Sequence, residues 1–311
     1  MTSAATPTSS PVSPAADRAR RASLAWSRLV ADGGAGIAIA LSTAVAFALL
    51  FARPAATLVG DWWNDPEAGH GLLIAGVCLW LLWRSRRDIA RRPDLLLGAG
   101  ILLAAILLRY LSGLAAELYT MRLSMIGAAA GLVIYHLGWR QLLAWWLPFV
   151  LLVLSVPIPE VILGTVALPL QLEASQMGAA LLDARHVPVQ LAGNVIRLPG
   201  RDLFVAEACS GLRSLTALLS LGVLLGGLSL RHPVSRAIVV LATIPIAIAI
   251  NAVRIFVTGF VIHFVSPDAG TGFMHFTEGW LMFLLAFGTL AALAALVGLA
   301  ERRPPRRAAD A

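Results

Sequence analysis

The side chains able to do chemistry fall in three short polar clusters, set in an otherwise apolar second half of the chain. The first is Glu207-Ala208-Cys209-Ser210-Gly211-Leu212-Arg213, the second Asn251-Ala252-Val253-Arg254, and the third His275 with Glu278 and Gly279. A thiol, a guanidinium and an imidazole together suit acyl transfer. Cys209 opens an apolar run that reads as a helix, and a cysteine at a helix N-terminus faces unpaired N–H groups that favour the thiolate. Arg213, four residues on, adds positive potential on the same face, and Glu207 and Ser210 are polar neighbours. His275 is suited to take a thiol proton and to protonate an amine leaving group. Arg254 is suited to hold a carboxylate or the oxyanion of a tetrahedral intermediate. Asn251, three residues earlier on the same face, is placed to orient Arg254, and Glu278 or Glu207 to orient His275. No spacing of His, Cys, Asp or Glu suits a metal, and the arrangement calls for no cofactor.

Each residue type also has an ordinary structural use. Cys78 lies inside an apolar run and reads as a small buried hydrophobe. An arginine near the end of a membrane helix often only reaches for headgroups. His263 competes with His275, and spacing alone does not choose between them. His70, next to Gly71, is a further candidate. His136 and His232 fall on the opposite side by the topology below, and His186 opens a solvated loop.

Such residues need a scaffold, and the composition names its solvent. With 59% hydrophobic and 13% charged residues, the chain exposes too little polar surface for water, so lipid surrounds much of it. The net charge of +7 does not mark a nucleic-acid binder. The 24 basic residues, all arginine, sit between apolar runs and at the chain ends. Two cysteines cannot build a disulfide framework.

A crossing helix needs about 20 mostly apolar residues, and about eight stretches qualify: 34–52, 69–83, 95–111, 123–137, 142–156, 209–230, 234–260 and 276–299. Pro148 is expected to kink the fifth. Arginines set the orientation. With the N-terminus inside, the inner loops carry Arg84, Arg86, Arg87, Arg91, Arg92, Arg140, Arg231 and Arg236. The outer loops keep chiefly Arg53, Arg185, Arg197 and Arg201. Both termini are then cytoplasmic, and the three polar clusters share the outer face. Nothing local forces that coincidence.

The one long segment outside the spans, 157–208, opens Pro157-Ile158-Pro159, which cannot continue a helix. Its part 161–182 reads as an amphipathic helix lying at the interface, with a short extra span as the alternative. Val187 to Leu191, a Gly193-Asn194 turn and Val195 to Leu198 read as a β-hairpin, with a second short strand at 203–205. The expected fold is an all-α polytopic membrane protein with a small extracytoplasmic insertion of amphipathic helix and hairpin. Residues 1–32 form a disordered cytoplasmic tail, 33–300 the transmembrane domain and 301–311 a basic cytoplasmic tail.

The three clusters, in this order, resemble the exosortase/archaeosortase family of multi-pass membrane proteins. The matching stretches are Val205 through Leu215 around Cys209, Pro245 through Ile255 around Asn251 and Arg254, and His275 through Trp280. Pro157-Ile158-Pro159, Pro169-Leu170-Gln171, Val187-Pro188-Val189 and the His70-Gly71 pair fit the same pattern. The resemblance implies a Cys209–Arg254–His275 active site, and so selects His275 over His263. It also implies a cysteine peptidase or transpeptidase with sortase-like action in the cell inner membrane. Its partners would be exported, membrane-anchored proteins whose C-terminal sorting tail carries a Pro-containing motif, a transmembrane helix and a basic cluster. The family is associated with exopolysaccharide and surface-protein processing. A transporter or flippase is the rival from another class, but it predicts polar residues through the depth of several helices, whereas here they crowd one face. A scaffold for polysaccharide export would tolerate loss of Cys209.

Overall fold

The computed structural model describes residues 33–65, 68–85, 92–199, 201–204, 211–265 and 272–302. The tail 1–32, the Arg-rich loop 86–91, the segment 205–210 with Glu207, Cys209 and Ser210, and the tail 303–311 lie outside the described residues. In chain order the helices are α1 Gly33–Asn64, α2 His70–Arg84, α3 Leu95–Leu114, α4 Leu118–Leu137, α5 Trp139–Ala144, α6 Trp146–Leu154 and α7 Glu160–Asp183. Three strands follow, β1 Gln190–Ala192, β2 Val195–Leu198 and β3 Arg201–Phe204, and then α8 Gly211–Ser229, α9 Pro233–Phe264 and α10 Gly272–Arg302. Among the described residues, five helical stretches are long and apolar enough to cross a membrane: Leu41–Asn64, Leu95–Leu114, Leu118–Leu137, Pro233–Phe264 and Gly279–Arg302. The apolar helices His70–Arg84 and Leu215–Ser229 are shorter. The protein is a mostly helical membrane protein with one small sheet.

Several boundaries differ from the sequence expectation, for local reasons. α1 continues through Arg53 and Pro54 to Asn64, so Arg53 sits in a helix and not in an outer loop. Proline is tolerated inside such helices because only one ladder bond is lost and neighbouring groups compensate. The expected fifth span is broken at Trp145, between α5 and α6. Pro148 has no N–H for the carbonyl of Ala144 and its ring crowds that carbonyl, so the break falls three residues upstream of the proline. Contacts divide the chain after Ala55. The part of α1 before that point is a body of its own, with Phe47 and Phe51 in ring contact at 4.9 Å. All that follows concerns residues 56–311.

One end of this unit gathers arginine and tryptophan. Trp145 Nε1 donates to the Ser85 carbonyl (3.2 Å), joining the end of α2 to the α5–α6 break. Asp94 N donates to the Ile134 carbonyl, joining the start of α3 to the end of α4. Arg84, Arg140 and Arg236 lie over the rings of Trp80, Trp139 and Trp146 at 5.3, 5.7 and 5.1 Å. Glu301, in the last turn of α10, accepts from the backbone N–H groups of Arg231 and His232 between α8 and α9. Basic and aromatic side chains together are the usual furniture of a bilayer interface.

The sheet and α7 belong to the opposite end. β1, β2 and β3 pair in order as an antiparallel meander, with Leu191 opposite Ile196 and Ile196 opposite Leu203. Gly193 holds φ +65 in the two-residue turn, as a tight hairpin of this hand requires. One face of the sheet buries Ile196, Leu198 and Leu203 against Leu182 of α7 and Ile255 and Ile262 of α9. Instead of lying across the bundle, the second half of α7 stands lengthwise beside α9. Leu170 and Gln171 share a cleft with Ile248 and Asn251, Gly178 meets Ile255, and Leu182 meets Gly259. The cause is length. α9 has 32 residues, about 48 Å at the α-helical rise, against a hydrocarbon core of about 30 Å. α7 and the sheet pack along its second half.

Candidate functional site

α8, α9 and α10 pack against one another as an antiparallel trio around Leu218, Val239, Ala286, Leu290 and Ala294. Small residues set the register. Gly226 lies against Arg236 and Gly222 against Thr243, while at the same end Gly298 meets Leu230. Following that register to the other end brings together the start of α8, the outer third of α9 and the start of α10. There the guanidinium of Arg254 comes against Gly279, whose Cβ position is 3.7 Å from Nη2. His275 stands one helical turn before Gly279 in α10, so the two positions share a face. Asn251 shares one cleft with Leu215 and Gln171 and another with Arg254, Gly279 and Leu218. Those clefts hold about 20 and 30 Å³, little more than a water needs.

Of the sequence candidates, then, Arg254 meets the start of α10 through its side chain, and Asn251 lines the same cleft. His275 and Glu278 belong to the first two turns of α10 and Arg213 to the first turn of α8 by backbone position. Glu207, Cys209 and Ser210 fall outside the described residues, and α8 begins two residues after Cys209. His263 lies nine residues beyond Arg254 in the same helix, roughly 13 Å along its axis, edge-on to Phe264. Cys78 is buried, with its thiol donating to the Pro148 carbonyl at 3.3 Å. That is a packing role.

His70 stands at the first position of α2, where a second polar group collects. Gly71 beside it has a plain function: a Cβ there would overlap the indole of Trp62, at 2.1 Å from Nε1. The indole lies flat against the start of α2 because glycine leaves room, and its Nε1 donates to the Ser155 carbonyl at 2.9 Å. Trp62 thereby pins the end of α6 next to His70. Across from them, Glu117 caps α4: its carboxylate accepts from the N–H groups of Tyr119 (2.8 Å) and Thr120 (2.7 Å) and from the Thr120 hydroxyl. Partial burial pushes this carboxyl up, but the bonds from Thr120 and Tyr119 and the nearby Arg122 charge outweigh it, so it titrates below its ordinary range.

Arg122 escaped the sequence reading. Its side chain is 3% exposed, and Nη2 lies 2.7 Å from Asp61 Oδ2. The two form an ion pair, and Arg122 Nε is a buried donor with no hydrogen-bond acceptor among the described residues. Arg122 stands one turn into the helix that begins at Leu118, immediately before the expected span, and a charge at that edge was the available signal. His70, Glu117 and Arg122 line a cavity of about 420 Å³ with Asp65, Tyr119, Ser155, the Pro157-Ile158-Pro159 corner, Leu163 and Thr216. Thr216 opens to this cavity, whereas Leu215 and Leu218 of the same helix border the clefts at Asn251 and Arg254. The first turns of α8 are the wall between them.

These features define a multi-pass membrane protein with a polar site at one end of its helices. Residues 62–292 match the family model described as transmembrane exosortase. The match covers well over half of the chain, and the protein belongs to the transmembrane exosortases, a family of cysteine transpeptidases. Neither the curated proteins nor the solved structures gave a match.

Proposed function

We propose that this exosortase is a membrane-embedded cysteine transpeptidase that cleaves the C-terminal sorting tails of exported proteins. The substrates carry a Pro-containing motif, a transmembrane helix and a basic cluster, and serve exopolysaccharide or surface-protein processing. The chain crosses the inner membrane eight times with both termini in the cytoplasm, and the site faces outward. The arginine-rich end supports this orientation by the positive-inside rule.

Cys209 is the nucleophile in this reading. Its thiolate attacks the scissile carbonyl carbon, and Arg254 donates to the oxyanion that forms. Collapse of the tetrahedral intermediate breaks the C–N bond, and His275 gives the departing amine its proton. The thioester on Cys209 is then resolved by an acceptor nucleophile or by water, which regenerates the thiol. Asn251 positions Arg254, and Arg213 and the α8 N-terminus favour the thiolate. Glu278 and Glu207 are the carboxylates assigned to orient His275.

The observation that carries the reading is the packing of Arg254 against Gly279, one turn from His275, at the end of the trio where α8 begins. The test is co-expression with a tail-bearing protein of the same genome, followed by its size on a gel. Wild type and His263→Ala should shorten the substrate, and Cys209→Ser, Arg254→Ala and His275→Ala should leave it full length. Processing that continues in Cys209→Ser would end the nucleophile assignment.

A further inference from the structure

Asn251 stands between two clefts, one shared with Arg254 and Gly279 and the other with Gln171 of α7. The register of the two helices brings the second amide there. Gly178 meets Ile255 and, one turn on, Leu182 meets Gly259, so α7 and α9 run parallel and in step. One turn before that pair, the fully buried Ala174 is level with Asn251, and Gln171 with Ile248. Gln171, Ser175, Gly178 and Leu182 make one stripe along α7. Ser175 is buried, and its hydroxyl donates to the backbone carbonyl of Gln171 in its own helix. The carboxamide of Gln171 is therefore the polar side chain that this stripe offers to α9.

Two half-buried amides at one level of a helix packing are a specific choice. The cleft they share is otherwise lined by Ala167, Leu170, Leu215, Ala247 and Ile248, and an amide among such residues is costly unless it is hydrogen-bonded. Direction follows from the chemistry of the groups. A guanidinium carries donors only, so Asn251 can serve Arg254 only through its carbonyl oxygen, Oδ1. Its Nδ2 donors then turn to the other cleft, where Gln171 Oε1 is the side-chain acceptor in the lining among the described residues. That cleft, of about 20 Å³, admits one water, enough to link the two amides.

We infer that Gln171 is a positioning residue of the site. Its carboxamide accepts from Asn251 Nδ2 through that water, and so fixes which end of the Asn251 amide is turned to Arg254. The role rests on the transpeptidase reading above and deepens it. Asn251 aims the guanidinium at the oxyanion, and α7 supplies the group that aims Asn251.

The test uses the full-length protein in lipid nanodiscs with the tail-bearing substrate. Gln171→Met keeps the length of the side chain and its apolar contacts but removes the acceptor. It should lower kcat about tenfold with KM unchanged, because a misdirected Arg254 is felt at the oxyanion and not in substrate binding. Asn251→Leu should lose at least as much, and adding Gln171→Met to it should lower kcat no further. Glu173→Gln, at an exposed position two residues along α7, should cleave at the wild-type rate. A Gln171→Met enzyme that keeps the wild-type rate, or that raises KM and leaves kcat alone, would overturn the assignment. So would a loss that multiplies with that of Asn251→Leu. If the wild type cleaves nothing, the transpeptidase reading fails by itself, and SDS unfolding of the wild type, the two single variants and the double variant decides the pairing. Coupled losses of stability support it, and strictly additive losses overturn it.

Discussion

Gly178 and Gly164 lie in the same helix, α7, and the structure predicts opposite outcomes for the same substitution. A Cβ at Gly178 would fall 2.5 Å from Cγ2 and 2.8 Å from Cβ of Ile255, and 3.3 Å from the Ala252 carbonyl. Carbon atoms rest at about 3.5–4.0 Å. Ile255 is fully buried, and its branched side chain has one strongly preferred rotamer in a helix, so turning it does not make room. α7 must back away from α9 by about 1 Å, which costs about 2–3 kcal/mol as overpacking. Alanine returns about 1 kcal/mol of helix propensity, leaving Gly178→Ala about 1–2 kcal/mol less stable. Gly164 has nothing within 4 Å of its Cβ position, so Gly164→Ala keeps the propensity gain of about 0.5–1 kcal/mol. Reversible unfolding by SDS in mixed micelles, followed by tryptophan fluorescence, should separate the two variants by about 1.5–3 kcal/mol. Equal stability, or the reverse order, would refute the lengthwise packing of α7 on α9.

Two further outcomes follow from the Glu117–Arg122 region. Glu117 titrates below its ordinary range in the folded protein, so its stabilisation is complete above about pH 4.5 and is lost as the pH falls through the lowered value. Glu117→Gln should cost about 0.5–1 kcal/mol at pH 7 as a weakened helix cap, with the gap to wild type closing in acid. A gap independent of pH would contradict the capping role. Asp61→Asn strips the counter-ion from a buried arginine. Breaking a fully buried pair costs about 3–5 kcal/mol, but Asp61 is 41% exposed, so about 1–3 kcal/mol is expected after screening. The double variant Asp61→Asn/Arg122→Gln should recover part of that loss, whereas strictly additive effects would deny the coupling.

Hydropathy alone located the long helices, because lipid forces every backbone group into an intrahelical bond and leaves long apolar runs as the trace. The alternation of Val195 to Leu198 and the Gly193-Asn194 turn likewise wrote the hairpin into the sequence. Less legible were features decided by a neighbour. Arg53 and Pro54 read as a loop but continue α1, and Trp145 marks a break that Pro148 causes three residues away. α7 looked like an interfacial helix because its polar residues are few and scattered. What it stands beside is the second half of α9, which no local pattern in α7 announces. At the site, Asn251 and Arg254 stood out by their spacing, and the structure puts Arg254 against Gly279 of α10. Arg122 was not, since its meaning comes from burial beside Asp61 and from the cavity, neither of which has a signature along the chain. The His70-Gly71 pair was noticed as a motif, and only the Trp62 indole explains its glycine.

The central claim is that Cys209 carries the acyl group during transfer. The direct measurement is mass spectrometry of the enzyme after brief co-expression with a tail-bearing protein, quenched in acid. The account predicts an adduct on the peptide containing Cys209, equal in mass to the substrate fragment on the N-terminal side of the cut. Hydroxylamine should release it, as expected of a thioester, and Cys78 should stay unmodified. Substrate cleaved at the normal rate with no such adduct, and equally well by Cys209→Ser, would contradict it.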